Sequence, residues 1–217
     1  MILIPIKNLA TAKQRLASLL NQSIRTELAQ AMLLDVLDAV TACSNRPGVS
    51  LVTSDPFAIE AARRFGFDVI HDHHNRSETD AIEMATKNCK SRGVDYTLVI
   101  PADVPLIQTS ELETIFTNAP DRGSLLVPAA DGRGTNAAFR RPATLFPLRF
   151  GNDSFKPHLA SAHATGLPCT VISLPGIGLD IDNPSDLRQL VDSPGETRSQ
   201  LLARQWDLSD LSLAANE

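Results

Sequence analysis

The sequence predicts an α/β protein, a mostly parallel sheet with helices on both faces. Three observations carry this. Short runs rich in Val, Ile and Leu alternate with longer amphipathic stretches, the order in which crossover helices link parallel strands. Several of those runs stop at Pro, Ser or Asp, which break strands. The 217 residues, 43% apolar and 21% charged, suffice for one large core of ordinary globular composition.

Residues 1–6 read as a buried strand. A helix over 23–42 follows, because Leu28, Met32, Leu33, Val36, Leu37 and Val40 recur at helical spacing. Residues 49–53 form a second strand, closed by Ser54-Asp55-Pro56. A helix over 57–65 stops at Gly66 and leads into a third strand over 67–71. The next helix, 79–90, is expected to be capped by the Thr79 hydroxyl. A strand over 96–100 ends at Pro101, a short helix covers 110–117, and 124–128 is a strand. After the turn Asp131-Gly132-Arg133-Gly134, residues 135–139 read as another. A helix over 154–164 with Ser154 as its cap, a strand over 169–173 and a helix over 184–191 capped by Asn183 complete one domain, 1–192. Residues 193–217 read as a C-terminal tail with one short helical stretch.

Charge and composition exclude several classes. The formal net charge is −5, from 20 basic and 25 acidic residues, the reverse of a nucleic-acid binder. No apolar stretch approaches the ~20 residues that span a bilayer, and the first residues place the apolar run before the charge, unlike a secretion signal. No membrane role is expected. Cys43, Cys89 and Cys169 are few, odd in number and far apart, which argues against a disulfide framework or structural zinc. They read as buried small apolar residues, and a reducing cytoplasm fits.

Open α/β sheets bind ligands at the carboxyl ends of their strands. Lys7, Lys13 and Arg15 put three cations within nine residues after the first strand, suited to a polyphosphate; helix-end cations on a solvated loop are the alternative. Asp103 sits between Pro101 and Pro105 directly after a buried strand, as a rigid carboxylate for Mg²⁺ or as a turn former. Gly132-Arg133-Gly134-Thr135-Asn136-Ala137 allows close backbone approach to a ligand, or makes a plain hairpin turn. Asp180 and Asp182, at i and i+2 of an extended segment, present both carboxylates on one side and could join Asp103 around a metal; alternatively Asp182 or Asn183 only caps a helix. The helix start at Ser154 offers free amides to an anion. His71-Asp72-His73-His74 is set aside as a metal site, because adjacent residues of an extended segment point opposite ways.

Taken in order, Pro5-Ile6-Lys7, Ala12-Lys13-Gln14-Arg15-Leu16, Met32-Leu33-Leu34-Asp35-Val36-Leu37, Ala102-Asp103-Val104-Pro105-Leu106, Gly134-Thr135-Asn136-Ala137, Gly151-Asn152-Asp153-Ser154-Phe155 and Leu179-Asp180-Ile181-Asp182 resemble the CofC/FbiD family. These are the 2-phospho-L-lactate or phosphoenolpyruvate guanylyltransferases of coenzyme F(420) biosynthesis. The resemblance spans residues 5 to about 187, and its most specific part is the Gly-Thr-Asn-Ala and Gly-Asn-Asp-Ser-Phe pair. It implies a Rossmann-like nucleotidyltransferase fold, shared with nucleotide-diphospho-sugar transferases and molybdopterin guanylyltransferases. It also implies Mg²⁺ held by Asp103, Asp180 and Asp182, GTP phosphates faced by Lys7, Lys13 and Arg15, and a phosphorylated acid bound by Thr135, Gly151 and Ser154. Lys13, Arg15 and Asp103 are the implied catalytic set, the partners are small molecules, and a homodimer is left open. Where the family often carries Gly-Leu-Asn near the base, this chain has Ser77-Glu78-Thr79-Asp80, which leaves the base contacts unassigned.

Two other readings compete. A molybdopterin guanylyltransferase is expected to show a glycine-rich loop after the first strand, and no glycine precedes Gly48. A receiver-like signalling domain around Asp103 needs paired acids at the end of that strand, which instead ends in Pro5-Ile6-Lys7.

Overall fold

A computed structural model describes residues 1–73, 76–151 and 153–206. The expectations placed on His74, Asn152 and residues 207–217 lie outside the described residues. Seven strands form one sheet in the order β3-β2-β1-β4-β6-β5-β7: β1 Ile2–Pro5, β2 Val49–Thr53, β3 Asp68–His71, β4 Thr97–Val99, β5 Gly123–Pro128, β6 Thr135–Arg141 and β7 Cys169–Val171. All pairings are parallel except those of β6, which runs against both β4 and β5. The mostly parallel sheet expected from the sequence is therefore present, with one reversed strand inserted by the β5–β6 hairpin.

The helices are α1 Gln22–Ala42, α2 Pro56–Phe65, α3 Glu78–Ser91, α4 Thr109–Asn118, α5 Phe155–Ala164, the single turn α6 Pro175–Gly178, α7 Pro184–Asp192 and α8 Arg198–Ala203. Strand alternation sorts the core into two layers. Ile2, Ile4, Leu51, Leu98, Leu125 and Phe139 point to one face, under α1, α2, α4 and α7. Leu3, Val52, Val99, Leu126 and Ala138 point to the other, under α3 and α5. Both faces being covered explains why the central strands read as continuous apolar runs.

Two expected caps are corrected. Helix α3 starts one residue earlier than expected and its N-cap is Ser77, whose hydroxyl accepts from the Asp80 amide. The Thr79 hydroxyl instead accepts from the Phe150 amide at 3.0 Å. Ser154 precedes α5 but already has helical backbone, φ −69° and ψ −22°, and its side chain caps no amide. An N-cap hydroxyl reaches back to N2 or N3 from an extended backbone, which Ser154 does not have. Asn183 does cap α7, accepting from the Ser185 and Asp186 amides. Cys43 and Cys89 are buried, whereas Cys169, on the edge strand β7, is only partly covered.

Part of the stretch after Ser193 packs on the domain. Ala203 of α8 belongs to the core layer that α1 builds. The buried Asp35 carboxylate of α1 accepts from the backbone amides of Arg198 and Ser199, at 2.9 and 3.0 Å, and from the Ser199 hydroxyl at 2.6 Å. It thereby satisfies the start of α8 from another helix, where a carboxylate also complements the helix dipole. Asp35→Ala strands these donors. It is expected to lower stability by about 2–4 kcal/mol in urea unfolding followed by circular dichroism.

Candidate active site

Strand order places the carboxyl ends of β1 and β4 side by side at the point where winding reverses: from β1 the chain goes to β2 and β3 on one side, and β4 opens the other. Ligands collect in such crevices. After β1 the chain makes two 3₁₀ turns, Leu9–Thr11 and Gln14–Leu16, with Lys13 between them at φ 56°. A left-handed backbone costs a non-glycine residue about 1–2 kcal/mol. It turns Lys13 inward, so that Nζ lies 2.6 Å from Asp103 Oδ2 and 3.0 Å from Asp182 Oδ1, with only 7% of the side chain exposed. Burial opposes the Lys13 charge, but Asp103 and Asp182 outweigh it and raise its pKa above the usual lysine value.

The acidic pair is built by a short extended segment. The Ile181 side chain is fully buried and its amide donates to the Asp103 carbonyl at 3.1 Å, tying the loop after β4 to the chain after α6. Asp180 and Asp182 therefore face the cavity from either side of Ile181, as their i, i+2 spacing implies. Because Asn183 caps α7, Asp182 is left to bind Lys13 and the Arg15 guanidinium, the latter at 3.3 Å. Burial raises the Asp182 pKa, but the Lys13 and Arg15 charges pull it below the ordinary carboxylate range. Asp180 goes the other way: burial and the charges of Asp103 and Asp182 raise its pKa against a hydrogen bond from Asn136. That amide, Nδ2, is 2.9 Å from Asp180 Oδ1 and also donates to the carbonyls of Ile177 and Gly178.

Two cavities adjoin here. The larger, about 900 Å³, is lined by Thr135, Gly151 and Ser154 together with Asp180. The smaller, about 410 Å³, is lined by Lys7, Lys13 and apolar residues including Ile6, Leu9 and Met32. Arg15, Glu78, Pro101, Asp103 and Asp182 line both and form the seam. Gly151 has φ 130°, open to glycine but strained for other residues. The glycine-containing stretch 131–134 is both a hairpin turn and a cavity wall, with Asp131 Oδ1 accepting from the Arg133 and Gly134 amides. Lys7, which lines the smaller cavity, pairs with Asp72 at 3.1 Å, while His71 and His73 stack on each other, ring centroids 5.6 Å apart.

The sequence-derived residues thus converge on one crevice, with one qualification in geometry. Asp103 and Asp182 reach a single cation position, now held by the Lys13 ammonium; Asp180 is drawn aside by Asn136. Among the described residues, no three His, Cys, Asp or Glu side chains are close enough together to hold a metal ion. The donor chemistry nonetheless suits Mg²⁺: hard carboxylate oxygens, two of which already share one cation. Three residues carry no obvious sequence signal. Glu78, in the first turn of α3, resembles an ordinary dipole-stabilising acid, yet it lines the seam, and burial with the Asp103 charge raises its pKa to about 7 against Lys7 and Lys13. Asn136 sits inside the Gly-Thr-Asn-Ala motif and His158 just past the Gly-Asn-Asp-Ser-Phe motif, but their partners are distant in sequence.

Comparison with known proteins bears on family and fold. A family described as "Guanylyl transferase CofC like" matches residues 1–209. The phosphoenolpyruvate guanylyltransferase of Sphaerobacter thermophilus is 35% identical over 188 residues, 86% of this chain and 90% of that protein. The 2-phospho-L-lactate guanylyltransferase of Methanothermobacter thermautotrophicus is 30% identical over 87% of this chain and 82% of its own. Among solved structures, a Desulfovibrio desulfuricans protein assigned to the nucleotide-diphospho-sugar transferases superposes with a TM-score of 0.77 over 98% of this chain and 96% of its own, at 16% identity. A 4-diphosphocytidyl-2C-methyl-D-erythritol synthase gives 0.59 at 16% identity, over 93% and 97%. The structural likenesses show a nucleotidyltransferase fold, and with the match along nearly the whole sequence, the chain belongs to the CofC-like guanylyl transferase family.

Proposed function

We propose that this protein transfers GMP from GTP to a small phosphorylated acid, with release of pyrophosphate, in coenzyme F(420) biosynthesis. Phosphoenolpyruvate, 2-phospho-L-lactate and 3-phospho-D-glycerate are the candidate acceptors; relatives carry the names of the first two. The observation that carries the reading is the meeting of two cavities at Asp103 and Asp182, one lined by cations and the other by Thr135, Gly151 and Ser154. Two separate anionic ligands would have their reacting ends at that seam.

A phosphate monoester is largely dianionic at neutral pH, so its oxygen needs no base before attacking the α-phosphorus of GTP. The obstacle is repulsion between the two anions: each unit-charge pair at 4 Å costs about 4 kcal/mol at an effective dielectric of 20. Lys7, Lys13 and Arg15 would offset this on the GTP side. Thr135, the Gly151 backbone and Ser154 would hold the acceptor without adding negative charge. Asp103, Asp180 and Asp182 are the residues that would hold Mg²⁺, which when bound neutralises phosphate charge. Catalysis is then positioning and electrostatics.

Offered the three acids in turn with GTP, CTP or ATP and Mg²⁺, the protein is expected to release pyrophosphate fastest with GTP, and mass spectrometry should find the guanylylated acid. Release with no acid under any nucleotide would overturn the reading. Asp103→Asn is expected to lower kcat about 10²–10³-fold with unchanged circular dichroism; near-normal turnover at saturating Mg²⁺ removes Asp103 from the metal set. Glu78 offers a check on the site's field. Its pKa of about 7 exceeds the ~4.3 of an unfolded chain, so the folded state favours the protonated form. Stability is therefore lost as pH rises from the lower value through the higher, and the loss is complete above it. In EDTA, Glu78→Gln is expected to melt above wild type at pH 8, with the gap narrowing towards pH 5.

A further inference from the structure

His158 lies in the first turns of α5, 1% exposed, and both its ring nitrogens are engaged. The Arg149 backbone amide lies 2.8 Å from Nε2. A backbone N–H can only donate, so Nε2 accepts. A neutral imidazole carries one proton, which must then sit on Nδ1, 2.9 Å from Thr135 Oγ1. An imidazolium would set two donors against each other at Nε2. Burial, together with the nearby Arg140 charge, agrees, pushing the His158 pKa down to about 4.

This tautomer has a consequence at the cavity. With Nδ1–H donating to it, the Thr135 hydroxyl keeps its own proton for another acceptor. Thr135 is 5% exposed and lines the larger cavity, so a ligand oxygen that reaches this hydroxyl would meet a donor, suited to an anionic oxygen. At its other end the ring fixes the chain entering Gly151. Arg149 is held by Nε2, Phe150 by the Thr79 hydroxyl, and the Phe150 ring stands edge-on to the imidazole at 5.4 Å. One side chain thus braces two separate walls of the cavity: Thr135 on β6, and the approach to Gly151 and Ser154.

We propose that His158 is a positioning residue for the acceptor acid: its Nδ1–H tautomer presents the Thr135 hydroxyl as a donor while Nε2 anchors the chain that carries Gly151 and Ser154. This rests on the reading of Thr135, Gly151 and Ser154 as the acceptor site. A buried histidine serving packing alone would affect stability and both substrates alike.

Three measurements on the full chain test it. Long-range ¹H–¹⁵N correlation spectra at pH 7.5 are expected to show His158 with a protonated Nδ1 and an unprotonated Nε2; the opposite tautomer overturns the proposal. In kinetics with GTP and phosphoenolpyruvate each varied at saturation of the other, or with 2-phospho-L-lactate if that acid is faster, His158→Phe removes both nitrogens. It is expected to raise the acceptor KM about tenfold or more and leave the GTP KM near wild type. His158→Gln retains an oxygen acceptor and an N–H donor, and should bring the acceptor KM back towards wild type. If His158→Phe does not fold, the Gln variant and the spectrum still decide: a Gln variant that raises both KM values together speaks for packing alone. Thr135→Val separates the two levels of inference. If it leaves the acceptor KM unchanged, the acceptor-site reading fails. If it raises that KM while His158→Phe shifts both substrates equally, only the His158 proposal fails. In the Thr135→Val background, His158→Phe should add less than it does alone.

Discussion

The site depends on holding like charges together. Asp103, Asp180 and Asp182 arrive from two distant parts of the chain, with Glu78 beside them, and burial, joined by the neighbouring carboxylate charges, makes Asp180 and Glu78 harder to ionise. Two features make the cluster tolerable. The Lys13 ammonium lies between Asp103 and Asp182, and the Ile181 amide binds the Asp103 carbonyl, so the loops stay in register through the backbone as well as through charge. Removing the buried Lys13 ammonium would leave the partly exposed Asp103 and Asp182 carboxylates facing each other with no cation between them.

Topology explains why these residues can meet at all. The chain that follows β1 and the chain that follows β4 flank the reversal in strand order, and the segment after α6 comes back to the same place. The left-handed backbone at Lys13 is the local cost of aiming its side chain into the crevice rather than along the surface. The same reversal divides the crevice: apolar and cationic residues on the β1 side, hairpin and α5 residues on the β6 side.

What was legible in the sequence follows from the range of the interactions. Strand and helix positions, the i, i+2 acids, Asn183 as a cap and the cation-rich loop after β1 depend on neighbours within a few residues, and each can be read from spacing. Ser77 in place of Thr79 is a near miss of the same kind, since either hydroxyl could cap and only the tertiary contact to Phe150 takes Thr79 away. Glu78, Asn136 and His158 were not legible, because what defines them is a partner far away: Asp103 for Glu78, Asp180 for Asn136, Thr135 for His158. Asp35 is similar, an acid in an apolar helix stripe whose reason is the start of α8, about 160 residues on.

The two halves of the crevice also differ in how they can bind an anion. On the β1 side the lining carries whole positive charges, Lys7 and Lys13, each paired with a carboxylate, and charge acts across several ångströms. On the β6 side, apart from Arg15 at the seam and Arg133, which is paired with Asp153, the residues proposed to take the phospho-acid, Thr135, Gly151 and Ser154, offer neutral donors, and carboxylates line much of the remaining wall. Neutral donors act only over hydrogen-bond distances, so orientation decides whether they help. A cavity of this kind binds an anion well only once positive charge has been added at the seam. On the proposed assignment of the two halves, that distribution of charge would favour the nucleotide binding before the acceptor, and would make the aiming of a single hydroxyl matter most on the β6 side.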